Sequence, residues 1–234
     1  MKVAAYIPIK LNNERLPNKN LKCFDDGTPM CHLVFNTLSE VEEIDEIYCY
    51  CSNPKIQEYL TGRVKFLQRS KSLDTAQTRR GDIIKAFSND VDADIIILSH
   101  VTSPFIKADT IRKCVDVVKS GNYDSALTVS KCQEYFWQDG KPLNFNPDKI
   151  ARSQDLPIIY KETSGCFIFT SKVCEETGRN VGEKTFICEV DRIEEIDINY
   201  PQDFEIANAV YMYRRQKRGK LSCHSCRNNF VYKN

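Results

Sequence analysis

Apolar residues recur in short solid runs, separated by stretches where they fall at helical spacing. Val3-Ala4-Ala5-Tyr6-Ile7 is solid, as expected of a buried strand, and residues 29–38 follow with helical periodicity, Pro29 suiting a first turn. Residues 44–51 alternate, then Ser52-Asn53-Pro54 ends that strand and opens a second helix over 55–60. A third strand over 64–67 runs into the polar loop 69–76, and a helix carries Ile83, Ile84 and Phe87. Residues 94–98 are apolar on both faces, which predicts a central, parallel strand. A helix over 108–119 puts Ile111, Cys114, Val115 and Val118 on one face, and a strand over 125–129 follows. This alternation predicts an α/β fold with a doubly wound, mostly parallel sheet.

The rhythm breaks between residues 134 and 162. Tyr135-Phe136-Trp137, the turn Asp139-Gly140 and Pro142-Leu143-Asn144-Phe145 predict a hairpin that leaves the main sheet. Two readings stay open: an aromatic subunit interface, or a small lobe packing on its own sheet. Strands then resume over 166–169 and 185–188, Ser171 capping a short helix between them; residues 195–199 follow, and an amphipathic helix starts at Pro201. The predicted organisation is one domain over 1–131 and 163–220, an inserted arm over 132–162 and a flexible tail over 221–234.

Composition narrows the class. The chain of 234 residues is 41% hydrophobic and 28% charged, ordinary for a globular protein. With 33 basic and 32 acidic residues, no global field points to nucleic acid or an anionic membrane. No apolar run is long enough to span a bilayer, and Met1-Lys2 leads into a short strand without a signal-peptide pattern. The 11 cysteines are scattered through strand-like and helix-like segments, so reduced thiols and a cytoplasmic location are expected.

Four polar loops follow strand-like segments: 10–20, 69–78, 100–105 and the turn around Asp197. In an open parallel sheet, loops at the strands' carboxyl ends converge on one crevice. The first carries Lys10, Arg15 and Lys19 with Asn12, Asn13 and Asn20; having no glycine, it is no Walker A loop. Together the loops offer cations for a polyphosphate and a carboxylate for Mg2+. Taken singly, Arg69 reads more readily as a surface salt-bridge partner and Asp197 as a strand-end or cap carboxylate; jointly those readings carry less weight.

Four ordered motifs then carry a resemblance. They are Ile7-Pro8-Ile9-Lys10-Leu11-Asn12-Asn13-Glu14-Arg15-Leu16-Pro17-Asn18-Lys19-Asn20, Ile97-Leu98-Ser99-His100-Val101-Thr102-Ser103-Pro104, Arg152-Ser153-Gln154-Asp155-Leu156-Pro157 and Ile196-Asp197-Ile198-Asn199-Tyr200-Pro201-Gln202-Asp203-Phe204. Over roughly residues 3–213 the chain resembles the acylneuraminate (nonulosonate) cytidylyltransferases. The resemblance implies a nucleotide-diphospho-sugar transferase-like fold and transfer of CMP from CTP to an acidic sugar such as a sialic, legionaminic or pseudaminic acid, with pyrophosphate released. It further implies Mg2+ at Asp197 and Asn199, and Lys10 and Lys19 on the triphosphate. Asn13, Arg15 and Asn20 would meet the nucleotide, and Arg69, Ala76 and Thr78 would line its base and ribose pocket. His100, Thr102 and Ser103 would face the acceptor. The arm would build a homodimer and bring Arg152, Gln154 and Lys161 to the acceptor.

The chain departs from the family pattern at several of these positions. Lys10 replaces an arginine and loses its bidentate fork. Asn13-Glu14 stands for Ser-Lys, with Arg15 one position later, as in the Kdo cytidylyltransferases. His100 replaces a glutamine, Asn199 a metal-binding aspartate, and Ser164-Gly165 an Asn-Gly. These changes keep two alternatives in view: a cytidylyltransferase for Kdo or another small acid, and a catalytically weak nucleotide-binding homologue. The tail motif Cys223-His224-Ser225-Cys226 supplies only two thiolates, short of a structural zinc set.

Overall fold

The computed structural model describes residues 1–11 and 19–222, with side chains given through residue 217. Its strands are β1 (Val3–Ile9), β2 (Glu46–Cys51), β3 (Val64–Gln68), β4 (Ile95–Ser99), β5 (Ser125–Cys132), β6 (Trp137–Gln138), β7 (Lys141–Pro142), β8 (Ile159–Thr170) and β9 (Thr185–Glu189). The helices are α1 (Met30–Ser39), α2 (Arg80–Asp90), α3 (Ala108–Lys119), α4 (Ser171–Thr177) and α5 (Pro201–Ser222).

Seven strands form the main sheet in the order β3-β2-β1-β4-β8-β5-β9. β4 is its middle strand with every residue buried, as its unbroken apolar run requires. It is parallel only to β1, because β8 runs antiparallel to both β4 and β5. The reason lies in the connection. Cys132 of β5 pairs with Ile159 of β8, so the chain leaves and re-enters the sheet at the same end and needs no crossover helix. The segment outside the sheet is therefore residues 133–158.

Strand alternation divides the core. Val3, Ala5, Ile7 and Ile9 of β1 face one layer with α1 and α3, while Ala4 and Tyr6 face a second with α2 and α4. In the second layer the Tyr6 ring stacks on Phe87 of α2 at 4.1 Å between centroids. The cysteines among the described residues are unpaired, and all but Cys23 are buried.

Local chemistry departs from the sequence reading at two points, and a third segment is fixed by a long-range contact. Residues 55–60 form a 3-10 turn, Pro54–Tyr59, whose first turn is held by Asn53 Oδ1 accepting from Lys55 N at 3.0 Å. The cap of α4 is Thr170, whose hydroxyl accepts from Val173 N, and Ser171 is already helical. Residues 195–199 are irregular, pinned where Ile198 N donates to Thr102 O at 2.8 Å.

One irregularity shapes the site. Between Leu127 and Val129 the β5–β8 register shifts, leaving residues 163–165 as a bulge. Thr128 Oγ1 holds it, accepting from Cys166 N at 3.2 Å and lying 2.7 Å from Thr163 Oγ1. Gly165 fits because a Cβ there would sit 3.0 Å from Ile106 Cδ1 and 3.2 Å from Thr128 Oγ1. The bulge carries Ser164 to the edge of a cleft.

The arm holds the expected hairpin, β6 paired with β7. Asp139 and Gly140 have φ of 50° and 74°, the left-handed pair that a tight two-residue hairpin turn demands. Phe145 packs edge-on against Tyr135 and Trp137, yet Trp137 remains 61% exposed.

Candidate active site

The loops after β1, β3 and β4 meet over the carboxyl ends of those parallel strands and enclose a cleft of about 370 Å³. Lys10, Lys19, Asn20, Arg69, Thr78, His100, Thr102, Asp197 and Asn199 all line it. The segment over 12–18, including Asn13, Glu14 and Arg15, lies outside the described residues, as does the tail from residue 223.

The opening loop is tied down at both described ends. Asn20, buried, donates through Nδ2 to Lys10 O at 2.8 Å, and Lys19 Nζ donates to Ile198 O at 2.8 Å. That second bond joins the loop after β1 to residues 197–199, distant in sequence, so an ammonium stands beside the Asp197 carboxylate's segment.

Arg69 is 2% exposed at the end of β3. Its Nη2 donates to Asp74 Oδ1 at 2.5 Å and to Ile9 O at 3.3 Å. Ser52 Oγ donates to the other Asp74 oxygen, so the carboxylate that holds the guanidinium is itself fixed. Its Nε is buried without a hydrogen-bond partner. Thr78 Oγ1 lies 2.9 Å from Thr75 Oγ1 at the same wall.

His100 follows β4, its ring edge-on to Phe167 at 6.4 Å. Burial at the cleft wall lowers its pKa to about 4, helped by the positive charges of Arg80 and Lys19 and opposed by Asp197. The imidazole is therefore neutral at physiological pH.

Asp197 Oδ2 accepts from Asn199 Nδ2 at 2.8 Å and from Ser164 Oγ at 3.4 Å. Its Oδ1 is buried with no hydrogen-bond partner. An orphaned carboxylate oxygen beside a polyphosphate-sized cleft suits a cation. No cluster of three or more His, Cys, Asp or Glu side chains that could hold a metal occurs among the described residues. A single carboxylate with a neighbouring amide can serve a divalent cation that completes its shell with phosphates and water. In this arrangement Asn199 turns its amide nitrogen to Asp197.

Other expected residues stand apart. Ala76 is exposed and off the cleft lining, and Ser103 is buried with its Oγ unpartnered. On the arm side, Arg152 Nε pairs with Asp155 at 2.8 Å, Gln154 O accepts from Gln133, and Lys161 Nζ lies 3.6 Å from Glu195. None of these three lines the cleft within one chain.

Arg80 was not singled out in the sequence, although it lines the cleft. Its Nη1 lies 3.2 Å from Glu162 Oε1, and its guanidinium sits 4.7 Å over the Phe167 ring. The available signal was Arg79-Arg80 at the junction of a polar loop and a helix. Ser164 was noted only as a departure from the motif, since a bulge is invisible in the apolar pattern.

A family model described as "Cytidylyltransferase" matches residues 4–233. The N-acylneuraminate cytidylyltransferase of Streptococcus agalactiae serotype V is 23% identical over 94% of the chain, which spans only 57% of that relative's length. The CMP-N,N'-diacetyllegionaminic acid synthase of Legionella pneumophila is 28% identical over 90% of the chain and 96% of its own. A solved CMP:2-keto-3-deoxy-manno-octonic acid synthetase complexed with CTP superposes with a TM-score of 0.68 at 14% identity, over 92% of this chain and 100% of that one.

Proposed function

We propose that this chain, which belongs to the cytidylyltransferase family, transfers CMP from CTP to an acidic sugar and releases pyrophosphate. The observation that carries the reading is the cleft itself: Lys10, Lys19 and Arg69 line it together with Asp197, a carboxylate with an unsatisfied oxygen. These cations match a triphosphate, and the one carboxylate among the described lining residues matches its metal.

In this reaction the acceptor's anomeric hydroxyl attacks the α-phosphorus in line with the departing pyrophosphate. Phosphoryl and nucleotidyl transfers of this kind depend on positioning and charge neutralisation. Lys10 and Lys19 neutralise the triphosphate. Arg69, locked by Asp74, presents a fixed charge beside the base and ribose side, where Thr78 adds a hydroxyl. His100 enters as a neutral imidazole able to accept or donate a hydrogen bond to the acceptor. Asp197 would hold Mg2+ through Oδ1, and the ion would supply further charge neutralisation at the phosphates. Asn13 and Arg15 would contact the nucleotide.

We further propose that the arm makes a homodimer and carries Arg152, Gln154 and Lys161 to the partner's acceptor side. The exposed apolar side chains of Trp137, Leu143 and Ile150 on this segment support that reading. We place the reaction in the cytoplasm, where CTP is available and buried free thiols stay reduced. Among the described residues, no helix is long and apolar enough to cross a membrane.

Departures at Arg15 and His100 favour, as a second reading, an acceptor of the Kdo type. Pyrophosphate release measured with each nucleoside triphosphate and a panel of 2-keto-3-deoxy sugar acids tests both. CTP with at least one such acid is expected to give turnover; no turnover with any acid overturns the function.

A further inference from the structure

We infer that Arg80 is the receptor for the acceptor's carboxylate. The inference rests on the proposed reaction and names a recognition group within its cleft.

Strand order fixes the two ends of the cleft. Arg69 and Thr78 belong to the β3 side and Lys10 to β1, whereas His100 follows β4 and Ser164 lies on β8. Arg80 is reached through the loop after β3, yet its side chain contacts Glu162 and Phe167, both on β8. The loop between β3 and α2 thus brings Arg80, the first residue of α2, to β8. His100 beside it is neutral, and Lys19, which also lines the cleft, donates to Ile198 O at 2.8 Å; Arg80 is the guanidinium at this end among the described residues lining the cleft.

Its geometry suits carboxylate recognition. The aromatic face of Phe167 holds the guanidinium plane from one side. Glu162 takes Nη1 through one contact at 3.2 Å, which orients the fork and leaves further N–H donors for a ligand. Both partners are near half exposed, with side-chain exposures of 44% and 47%, so an incoming anion can reach the guanidinium without first opening a buried pair. Arg152 and Lys161, in contrast, are paired with Asp155 and Glu195 and lie off the cleft of their own chain. An acidic sugar placed with its hydroxyl toward the triphosphate would set its carboxylate against Arg80.

The test compares wild type with Arg80→Gln and Arg80→Lys, using the sugar acid that wild type turns over and its methyl ester. Tm and CTP affinity measured on each variant establish that fold and nucleotide site survive. Losing a charged hydrogen bond should raise the acceptor KM of Arg80→Gln about 10- to 100-fold, with the KM for CTP changed less than about threefold. Arg80→Lys should recover part of the loss, keeping the charge without the fork. Wild type should prefer the acid over its ester, and Arg80→Gln should lose that preference. An acceptor KM unchanged in Arg80→Gln, or an undiminished acid-over-ester preference, overturns the inference while leaving the reaction intact. Turnover lost instead on Arg152→Gln or Lys161→Gln, with Arg80→Gln normal, assigns the carboxylate to the arm and also overturns it. Absence of turnover by wild type with every acid overturns the reaction first and this assignment with it.

Discussion

Replacing His100 by glutamine should flatten the acid limb of the protein's stability profile. The imidazole has its pKa lowered from 6.5 to about 4, mainly by burial, with Arg80 and Lys19 adding repulsion and Asp197 opposing. The folded state therefore resists protonation. Above about pH 6.5 the ring is neutral whether the chain is folded or unfolded, and it exerts no pH-dependent effect. As pH falls through the interval from 6.5 to about 4, the unfolded chain gains a proton that the folded chain refuses, and stability drops. Each tenfold in proton affinity is worth about 1.4 kcal/mol, so the full interval costs at most about 3 kcal/mol, less for a ring partly open to water. His32 has its pKa lowered too, by burial, so wild type owes part of its slope there to a second ring that His100→Gln leaves in place. Asp191, lowered to about 2 chiefly by its hydrogen bond from Lys107, loses its contribution only at more acidic pH. Urea unfolding at several pH values across this window, for both proteins, gives the comparison. Wild type should lose about 1–3 kcal/mol more than His100→Gln between neutral pH and about pH 4. Parallel curves would refute the neutral, desolvated imidazole.

Three further outcomes follow from particular contacts. Arg69→Met should cost about 2–4 kcal/mol of stability, because Asp74 loses its buried guanidinium partner, and CTP affinity should fall as well; unchanged chemical denaturation would contradict the pairing. Asn199→Asp replaces the amide donor on Asp197 with a second carboxylate. It should lower the Mg2+ concentration needed for half-maximal pyrophosphate release several-fold, and an unchanged Mg2+ dependence would argue that residue 199 stays outside the metal's shell. Trp137→Ser combined with Leu143→Ser should shift sedimentation from dimer to monomer and raise the acceptor KM; an unaltered oligomeric state would remove the arm from the interface.

The parts of the molecule that periodicity encodes were legible in the chain. The unbroken apolar runs of β1 and β4 and the one-sided face of α3 reflect burial on two faces or one, and burial leaves a compositional trace. Strand direction leaves none: β8 reads like any apolar run, and only its return along β5 makes it antiparallel. Lys10, Lys19, His100 and Asp197 could be gathered because each follows a strand-like run or closes a motif, and the sheet brings such positions together. Arg80 and Ser164 could not. The first reaches the cleft because the loop before α2 sets the helix start against β8, and the second through a bulge stabilised by Thr128, which are tertiary contacts without a local signature. Arg152 and Lys161 were selected by motif, but within one chain their charges are taken up by Asp155 and Glu195.

The central claim is nucleotidyl transfer to a sugar acid, and the product itself tests it most directly. Wild-type protein incubated with CTP, Mg2+ and a panel of 2-keto-3-deoxy sugar acids should give, from one of them, a compound with the mass of its CMP conjugate and one pyrophosphate for each conjugate formed. The acid consumed also names the acceptor and separates a nonulosonate from Kdo. CTP bound without turnover, or hydrolysed to free CMP with no conjugate for any acid, would contradict the account.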